Sequence, residues 1–142
     1  MGSNPKILIV DDEERFRTTL GKLLTVRGMD VNTVSGGKLA LEELNRDNYD
    51  VVLLDIKMPG MDGVEALGKI KELNPLLEVI ILTGHASVDV AVEIMRLGGY
   101  EYLLKPCPID ELMEKIDTAF ERKTAREQRA RKPASSPEIK AP

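Results

Sequence analysis

The sequence predicts an α/β protein in which five strands and five helices alternate as one doubly wound (βα)₅ domain with a parallel sheet. Three observations predict this fold. Short runs rich in Val, Ile and Leu recur along the chain, and each is followed by a stretch with the periodicity of an amphipathic helix. The runs are nearly continuous in apolar residues, which is typical of parallel strands covered on both faces. The length of 142 residues, with 42% apolar residues, suits one domain with its own core.

Five segments are the predicted strands. Four are apolar: KILIV at Lys6–Val10, DVVLLD at Asp50–Asp55, EVIILT at Glu78–Thr83 and YEYLLK at Tyr100–Lys105. The remaining one, second in chain order, is MDVNTV at Met29–Val34. It is more polar and partly alternating, which favours a strand at the edge of the sheet.

Each predicted strand is followed by a segment whose apolar residues share one helical face. In chain order these residues are Phe16, Leu20, Leu23 and Leu24; Ala40, Leu41 and Leu44; Val64, Leu67 and Ile70; Val88, Ala91, Val92 and Met95; and Ile109, Leu112, Ile116, Ala119 and Phe120. Gly28 is the predicted C′ residue of the first helix, and Pro75 ends the third. Ser87 is the predicted N-cap of the fourth helix, and Gly98 lies at its end. The strand–helix alternation implies right-handed crossovers.

The charge is unevenly distributed. Residues 121–142 hold seven Lys or Arg and three Asp or Glu, which gives this segment a net charge of +4. Because the overall net charge is −4, the first 120 residues carry a net charge of −8. An acidic domain of this kind is not expected to bind nucleic acid directly. No apolar run reaches the length of a membrane span, and the first residues lack a signal-peptide layout, so we expect a cytoplasmic protein without membrane contact. Cys107 is alone, which excludes an internal disulfide and a cysteine metal site.

The last part of the chain has a different composition. From Lys132 the sequence KPASSPEIKAP is rich in Pro, Ser and Ala. We therefore predict one domain over residues 5–123. Residues 124–142 are predicted to extend the last helix and then to form a disordered basic, Pro/Ser-rich tail or a truncated linker. Neither a helix-turn-helix pattern nor a phosphate-binding loop follows the fifth helix.

Polar side chains stand at the carboxyl ends of four predicted strands, where open parallel sheets bind ligands. They are Asp11 and Asp12, then Asp55, Thr83 and Lys105. Three neighbouring carboxylates repel each other unless a cation binds, and oxygen-only ligands favour Mg²⁺. An ammonium and a hydroxyl suit phosphoryl oxygens. Asp55 would then lie between a cation site and an anion site, where a carboxylate nucleophile accepts a phosphoryl group.

Four stretches together carry a family resemblance: ILIVDDEE, DVVLLDIKMPGMDG, VIILTGH and GYEYLLKP, spread over roughly residues 6–122. In order and spacing the chain resembles the receiver domains of two-component response regulators. The resemblance implies a flavodoxin-like five-stranded sheet of order 2-1-3-4-5.

The resemblance also implies roles for the acidic residues. Asp55 would be the phosphoacceptor, Asp12 would bind Mg²⁺ directly, and Asp11 would bind it through water. The backbone carbonyl of Lys57 would complete the protein ligands. Lys57 and His85 also occupy the positions that, in this family, are linked to the rate of phosphoryl hydrolysis.

Further roles are implied for the phosphoryl site and the switch. Thr83 and Lys105 would hold the phosphoryl group, and Thr83 with Tyr102 would form the switch that remodels the face of the fourth helix, fifth strand and fifth helix. A homodimer through that face is one arrangement found in the family. The bond before Pro106 is expected to be cis.

The resemblance implies a signalling domain phosphorylated by a sensor histidine kinase or a phosphotransfer protein, with only self-phosphorylation and self-dephosphorylation as chemistry. It is either a free-standing regulator or the regulatory domain of a transcriptional activator. A metal-dependent phosphohydrolase with an Asp nucleophile is a second class, which Lys57 disfavours because such enzymes generally need an Asp at that position. A flavin or nucleotide binder is a third, disfavoured because the first turn, VDDEER, is acidic and lacks glycine.

Overall fold

A computed structural model describes residues 4–131 of the chain. Its five strands are β1 (Lys6–Val10), β2 (Asp30–Val34), β3 (Val51–Leu54), β4 (Glu78–Thr83) and β5 (Glu101–Leu104). They form one parallel sheet in the order β2-β1-β3-β4-β5, which confirms the predicted topology. All residues of β3 and β4 are buried, whereas β2 is largely exposed, as expected for an edge strand.

Five helices cover the two faces of the sheet: α1 (Glu14–Val26), α2 (Gly37–Arg46), α3 (Gly63–Leu73), α4 (Val88–Arg96) and α5 (Ile109–Arg131). Neighbouring residues of a strand point to opposite faces. In β1, therefore, Leu8 and Val10 pack with α2, α3 and α4, while Ile7 and Ile9 pack with α1 and α5. The core is thus divided into two layers by the sheet.

The helix ends follow the local sequence. Gly28 lies one residue beyond the C-cap of α1 and has a φ of +94°, a conformation that costs little without a Cβ. The side-chain oxygen of Ser87 accepts a hydrogen bond from the Val90 amide, which makes it the N-cap of α4. Both predictions are confirmed.

The periodic apolar residues that predicted α4 do not form its buried side. Val88, Val92 and Met95 are exposed by 80%, 59% and 49%, and Ile94 is the buried residue of this helix. Val90 packs beside Ile94 against the core. Both sides of α4 are apolar, so its periodicity did not distinguish them, and contact with the sheet decided which side is buried. Leu23 belongs to the apolar face that predicted α1, and it is likewise 44% exposed.

Helix α5 changes character along its length. Leu112, Ile116 and Ala119 are buried against the sheet, as predicted. The same stripe continues through Lys123 and Arg126, where the helix passes the amino ends of the strands and meets Glu78 and Asp50. Residues 132–142, on which the predicted tail falls, lie outside the described residues. Within residues 4–131, no helix is long and apolar enough to cross a membrane.

Candidate functional site

The carboxyl ends of β1 and β3 hold two acids side by side. The two strands are neighbours, and Val10, the last residue of β1, pairs with Leu54, the last of β3. Asp55 donates its backbone N–H to the carbonyl of Val10 at 3.0 Å, and Asp11 donates its own to the carbonyl of Val34 at 3.2 Å. The backbone ladders therefore continue one residue past the strands and hold both acids at the same edge.

Asp11, Asp12 and Asp55 form an acidic cluster. Each offers a carboxylate oxygen, and these oxygens all lie within 4.8 Å of one another. Asp11 and Asp55 are only 2% and 7% exposed, whereas Asp12 faces solvent. Octahedral Mg²⁺ holds its oxygens at about 2.1 Å, so opposite ligands are roughly 4.2 Å apart. The cluster fits such an ion in both donor chemistry and size, with Asp12 on the side open to water.

Lys105 supplies the positive charge of the site. Its Nζ lies 2.7 Å from Oδ2 of Asp11 and 3.8 Å from Oδ2 of Asp55. The ammonium also lies over the ring of Phe16, 4.0 Å from its centroid. The Lys105 backbone N–H bonds the carbonyl of Thr83, and the Lys105–Pro106 peptide bond is cis. The lysine thus faces acids and an aromatic ring at the end of β5.

Backbone amides hold one oxygen of each buried acid. Oδ1 of Asp55 accepts from the Ile56 N–H at 2.8 Å, and Oδ1 of Asp11 accepts from the Glu13 N–H at 2.9 Å. The other oxygen of each acid faces Lys105. The two carboxylates are therefore oriented by the backbone on one side and by one cation on the other.

Thr83, His85 and Tyr102 are linked by two hydrogen bonds. The fully buried Thr83 accepts the His85 N–H on its Oγ1 at 3.3 Å. The Tyr102 hydroxyl donates to the His85 carbonyl at 2.7 Å. The backbone of His85 therefore connects the hydroxyl at the end of β4 to the half-buried ring of β5, while the residue itself is exposed.

The loop after Asp55 is shaped by close packing. Lys57 is exposed in this loop, and Gly60 turns it with a φ of +78°. A Cβ on Gly63 would meet the Asp55 carbonyl oxygen at 2.3 Å, so only glycine lets α3 begin this close to the acid. Asp62 caps the same helix by accepting the Glu65 N–H.

Two residues make contacts at the site that the order of strand ends did not predict. Phe16 was placed on the apolar face of α1, and its ring also contacts the Lys105 ammonium. Arg17 was not singled out, and its Nη1 donates to the Asp11 carbonyl at 3.1 Å. Their positions four and five residues after Asp12, in the first turn of α1, were the available signal. Cys107 packs against the core, and its burial, with Glu111 nearby, raises the pKa of the thiol, which keeps it protonated at neutral pH.

Comparisons with known proteins agree on one family. The model of the response regulator receiver domain matches residues 7–117. The chain is 40% identical over 129 residues to the DNA-binding transcriptional regulator NtrC of Klebsiella pneumoniae, covering 91% of this chain and 28% of that protein. It is 40% identical over 117 residues to the transcriptional regulatory protein ZraR of Escherichia coli K12, covering 82% of this chain and 26% of that protein.

Solved structures share the fold. The crystal structure of a CheY-like receiver domain protein from Methanospirillum hungatei superposes with a TM-score of 0.84 at 30% identity, covering 87% of this chain and 99% of that one. The chain therefore spans about a quarter of the length of the curated relatives that it matches, but nearly the whole of this single-domain structure.

Proposed function

Because the chain belongs to the family of response regulator receiver domains, we propose that it accepts a phosphoryl group on Asp55 in a two-component relay. The donor is the phosphohistidine of a sensor histidine kinase or of a phosphotransfer protein. We also propose that the protein is cytoplasmic. One observation carries it: three carboxylates and one ammonium meet at the carboxyl edge of the sheet.

The transfer forms one bond and breaks one. An oxygen of the Asp55 carboxylate bonds to phosphorus as the phosphorus–nitrogen bond of the donor breaks, and its electron pair returns to the imidazole. The Lys105 ammonium and the Thr83 hydroxyl bind the oxygens of the arriving group by charge-assisted hydrogen bonds. Lys105 needs only to turn from Asp11, since its Nζ is already 3.8 Å from Asp55. The same groups serve hydrolysis: a water oxygen bonds to phosphorus as the bond from phosphorus to the Asp55 oxygen breaks, its electron pair returns to the carboxylate, and inorganic phosphate leaves. The domain therefore also dephosphorylates itself.

We assign the Mg²⁺ ligands to Asp11, Asp12, Asp55 and the backbone carbonyl of Lys57. When bound, the ion neutralises charge between the attacking carboxylate and the phosphoryl oxygens. Two of these carboxylates are buried and share a single cation within residues 4–131, which supports the assignment. Lys57 and His85 are exposed beside the site, where their side chains would tune the access of water to the acyl phosphate.

The hydrogen bonds of His85 suggest how the signal leaves the site. If the Thr83 hydroxyl turns to a phosphoryl oxygen, it releases the His85 N–H, and Tyr102, which is bonded to the His85 carbonyl, follows. The adjoining α4-β5-α5 face carries exposed Val88, Val92 and Leu104. We infer that this face binds the output partner or a second copy of the chain, with its binding equilibrium shifted by phosphorylation.

A second candidate is that the chain is the regulatory domain of a transcriptional activator. Two observations favour it: relatives such as NtrC are more than three times longer, and α5 continues to Arg131, beyond residue 117 where the family match ends. A phosphohydrolase remains disfavoured, because Lys57 provides no acid two residues after Asp55.

The test is Mg²⁺-dependent phosphorylation by acetyl phosphate, read by intact mass. We expect one phosphoryl adduct on the wild type and on Asp62→Asn, a matched control at the exposed cap of α3, and none on Asp55→Asn. An adduct that persists in Asp55→Asn, or none on the wild type, would refute the assignment. Size measured with beryllofluoride separates the candidates: a dimer favours the regulatory domain of an activator, and a monomer favours a free-standing regulator.

A further inference from the structure

The ring of Phe16 makes the tightest cation–π contact in the described part of the chain. The Lys105 ammonium is 4.0 Å from its centroid, compared with 5.1 Å for Lys6 over Tyr49 and 5.3 Å for Arg122 over Tyr100. The Lys105 side chain is only 17% exposed. Cation–π attraction is strongest where water is excluded, so this contact acts on an ammonium that has little solvent to hold it.

The ring and the acids constrain the ammonium in different ways. Asp11 and Asp55 accept hydrogen bonds or attract charge, and an incoming phosphoryl group competes with them for the same N–H donors. An aromatic face attracts the cation but does not occupy a donor in the manner of an oxygen acceptor. The ammonium can therefore turn from Asp11 towards an anion on Asp55 while the ring holds its position.

The Phe16 side chain also lines a surface pocket between α1 and α5. This pocket is mostly apolar, has a volume of about 240 Å³ and is also lined by Leu20, Pro106 and Cys107. A side chain without an aromatic ring at position 16 would remove the contact with the ring and leave the contacts of the Lys105 ammonium with Asp11 and Asp55. Residue 16 therefore acts on the ammonium through the face of its ring.

We propose that Phe16 is a positioning residue for phosphoryl binding: its ring holds the Lys105 ammonium in reach of the group on Asp55. The inference rests on the proposed function. It assigns Phe16 a role beyond packing, and the role requires the π face rather than the volume of the side chain.

Three variants test whether binding requires the aromatic ring at position 16 or only an apolar side chain there. Phe16→Leu removes the ring and keeps an apolar residue, Phe16→Tyr keeps the ring, and Phe120→Leu makes the same change at the other phenylalanine, which packs in the same core layer away from Lys105. In Mg²⁺-dependent beryllofluoride titrations, we expect Phe16→Leu to bind about two- to fivefold more weakly. Phe16→Tyr and Phe120→Leu are expected to bind like the wild type.

Two further measurements exclude a merely structural role. In the protein without ligand, the methylene protons next to Nζ of Lys105 should show an upfield ring-current shift that Phe16→Tyr keeps and Phe16→Leu loses. In a protein that carries Lys105→Met, adding Phe16→Leu should not weaken beryllofluoride binding any further, because this protein has no Lys105 ammonium for the ring to position.

The outcomes distinguish the two proposals. If the wild type does not bind beryllofluoride, the proposed function fails, and the role of Phe16 in phosphoryl binding fails with it. If the wild type binds but Phe16→Leu binds equally well, or if Phe16→Leu and Phe16→Tyr lose affinity alike, only the role of Phe16 is overturned. An undiminished effect of Phe16→Leu in the Lys105→Met background would overturn it too.

Discussion

Replacing Glu78 by glutamine is expected to detach the C-terminal part of α5 from the domain. Glu78, the first residue of β4, is 1% exposed, and its Oε2 lies 3.2 Å from Nε of Arg122 and 3.1 Å from Nη1 of Arg126. Between these two arginines, Lys123 binds Asp50 at 3.1 Å. This group of charges, which we call the α5 clamp, joins the helix to the amino ends of β3 and β4.

The expected loss of stability follows from the burial of Glu78 and from its ion pairs with Arg122 and Arg126. The glutamine side chain in Glu78→Gln is a neutral amide, so the two charge-assisted contacts lose most of their strength, each such bond being worth roughly 1.5–3 kcal/mol. Breaking a fully buried pair costs about 3–5 kcal/mol. Here the side chains of Arg122 and Arg126 are 51% and 27% exposed, so water can solvate them after the change. We therefore expect a loss of about 2 kcal/mol, or roughly 5–10 °C in Tm.

The assay combines thermal unfolding with hydrogen exchange. Amides of residues 120–131 should exchange faster in Glu78→Gln than in the wild type. The order of exchange rates among the amides of β1 and β3 should not change. Glu121→Gln is the matched control, because it makes the same chemical change at an exposed position of α5. An unchanged Tm together with unchanged exchange in residues 120–131 would refute the reasoning. It would mean that apolar contacts of α5 hold the helix without the clamp.

Three more predictions concern the site and its surroundings. Saturating Mg²⁺ should raise the Tm of the wild type. Asp12→Asn should have a higher Tm than the wild type in the absence of Mg²⁺, because it removes one of three repelling carboxylates, and its Tm should not rise when Mg²⁺ is added. Equal responses of the two proteins to Mg²⁺ would contradict the acidic site. Burial and then the hydrogen bond to Glu43 raise the pKa of Tyr49 from 10.0 to about 12, so its stabilisation is complete below pH 10.0 and is lost between there and about 12. Absorbance at alkaline pH should show a late tyrosine phase that Tyr49→Phe lacks, and its persistence in that variant would exclude Tyr49 as its source. Gly63→Ala should lower Tm and block phosphorylation, because the added Cβ would clash with the Asp55 carbonyl. Gly68→Ala in the same helix has open space at its Cβ and should leave Tm unchanged or raise it. Equal effects of the two variants would contradict the close contact between Gly63 and the Asp55 carbonyl.

The clamp also illustrates a charge whose partners outweigh its burial. Burial lowers the pKa of Lys123, but hydrogen bonds to Glu127 and Asp50 raise it more, so the net shift is upward. The ammonium therefore stays charged at neutral pH, and its contribution to stability persists until the pH rises through the folded pKa. Lys123 can therefore be buried on the same face of α5 as the apolar residues Leu112, Ile116 and Ala119.

Local sequence determined the elements that depend on local physics. Continuous apolar runs predicted β1, β3 and β4, because strands covered on both faces need apolar side chains on both. Ser87 and Gly28 predicted helix ends, because their roles depend on backbone groups within a few residues. The acidic cluster was also predictable, since parallel topology alone brings Asp11 and Asp55 to one edge.

The tertiary structure decided what depends on residues distant in sequence. The sequence did not show which side of α4 is buried, because both sides are apolar and only the position of the sheet distinguishes them. The contact of Phe16 with Lys105 joins residues 89 positions apart. Likewise, Glu78 reads as an ordinary start of a strand until α5 brings two arginines to it. Periodicity reports which face of an element is apolar, but charge pairing and ring stacking arise only when distant elements are packed together.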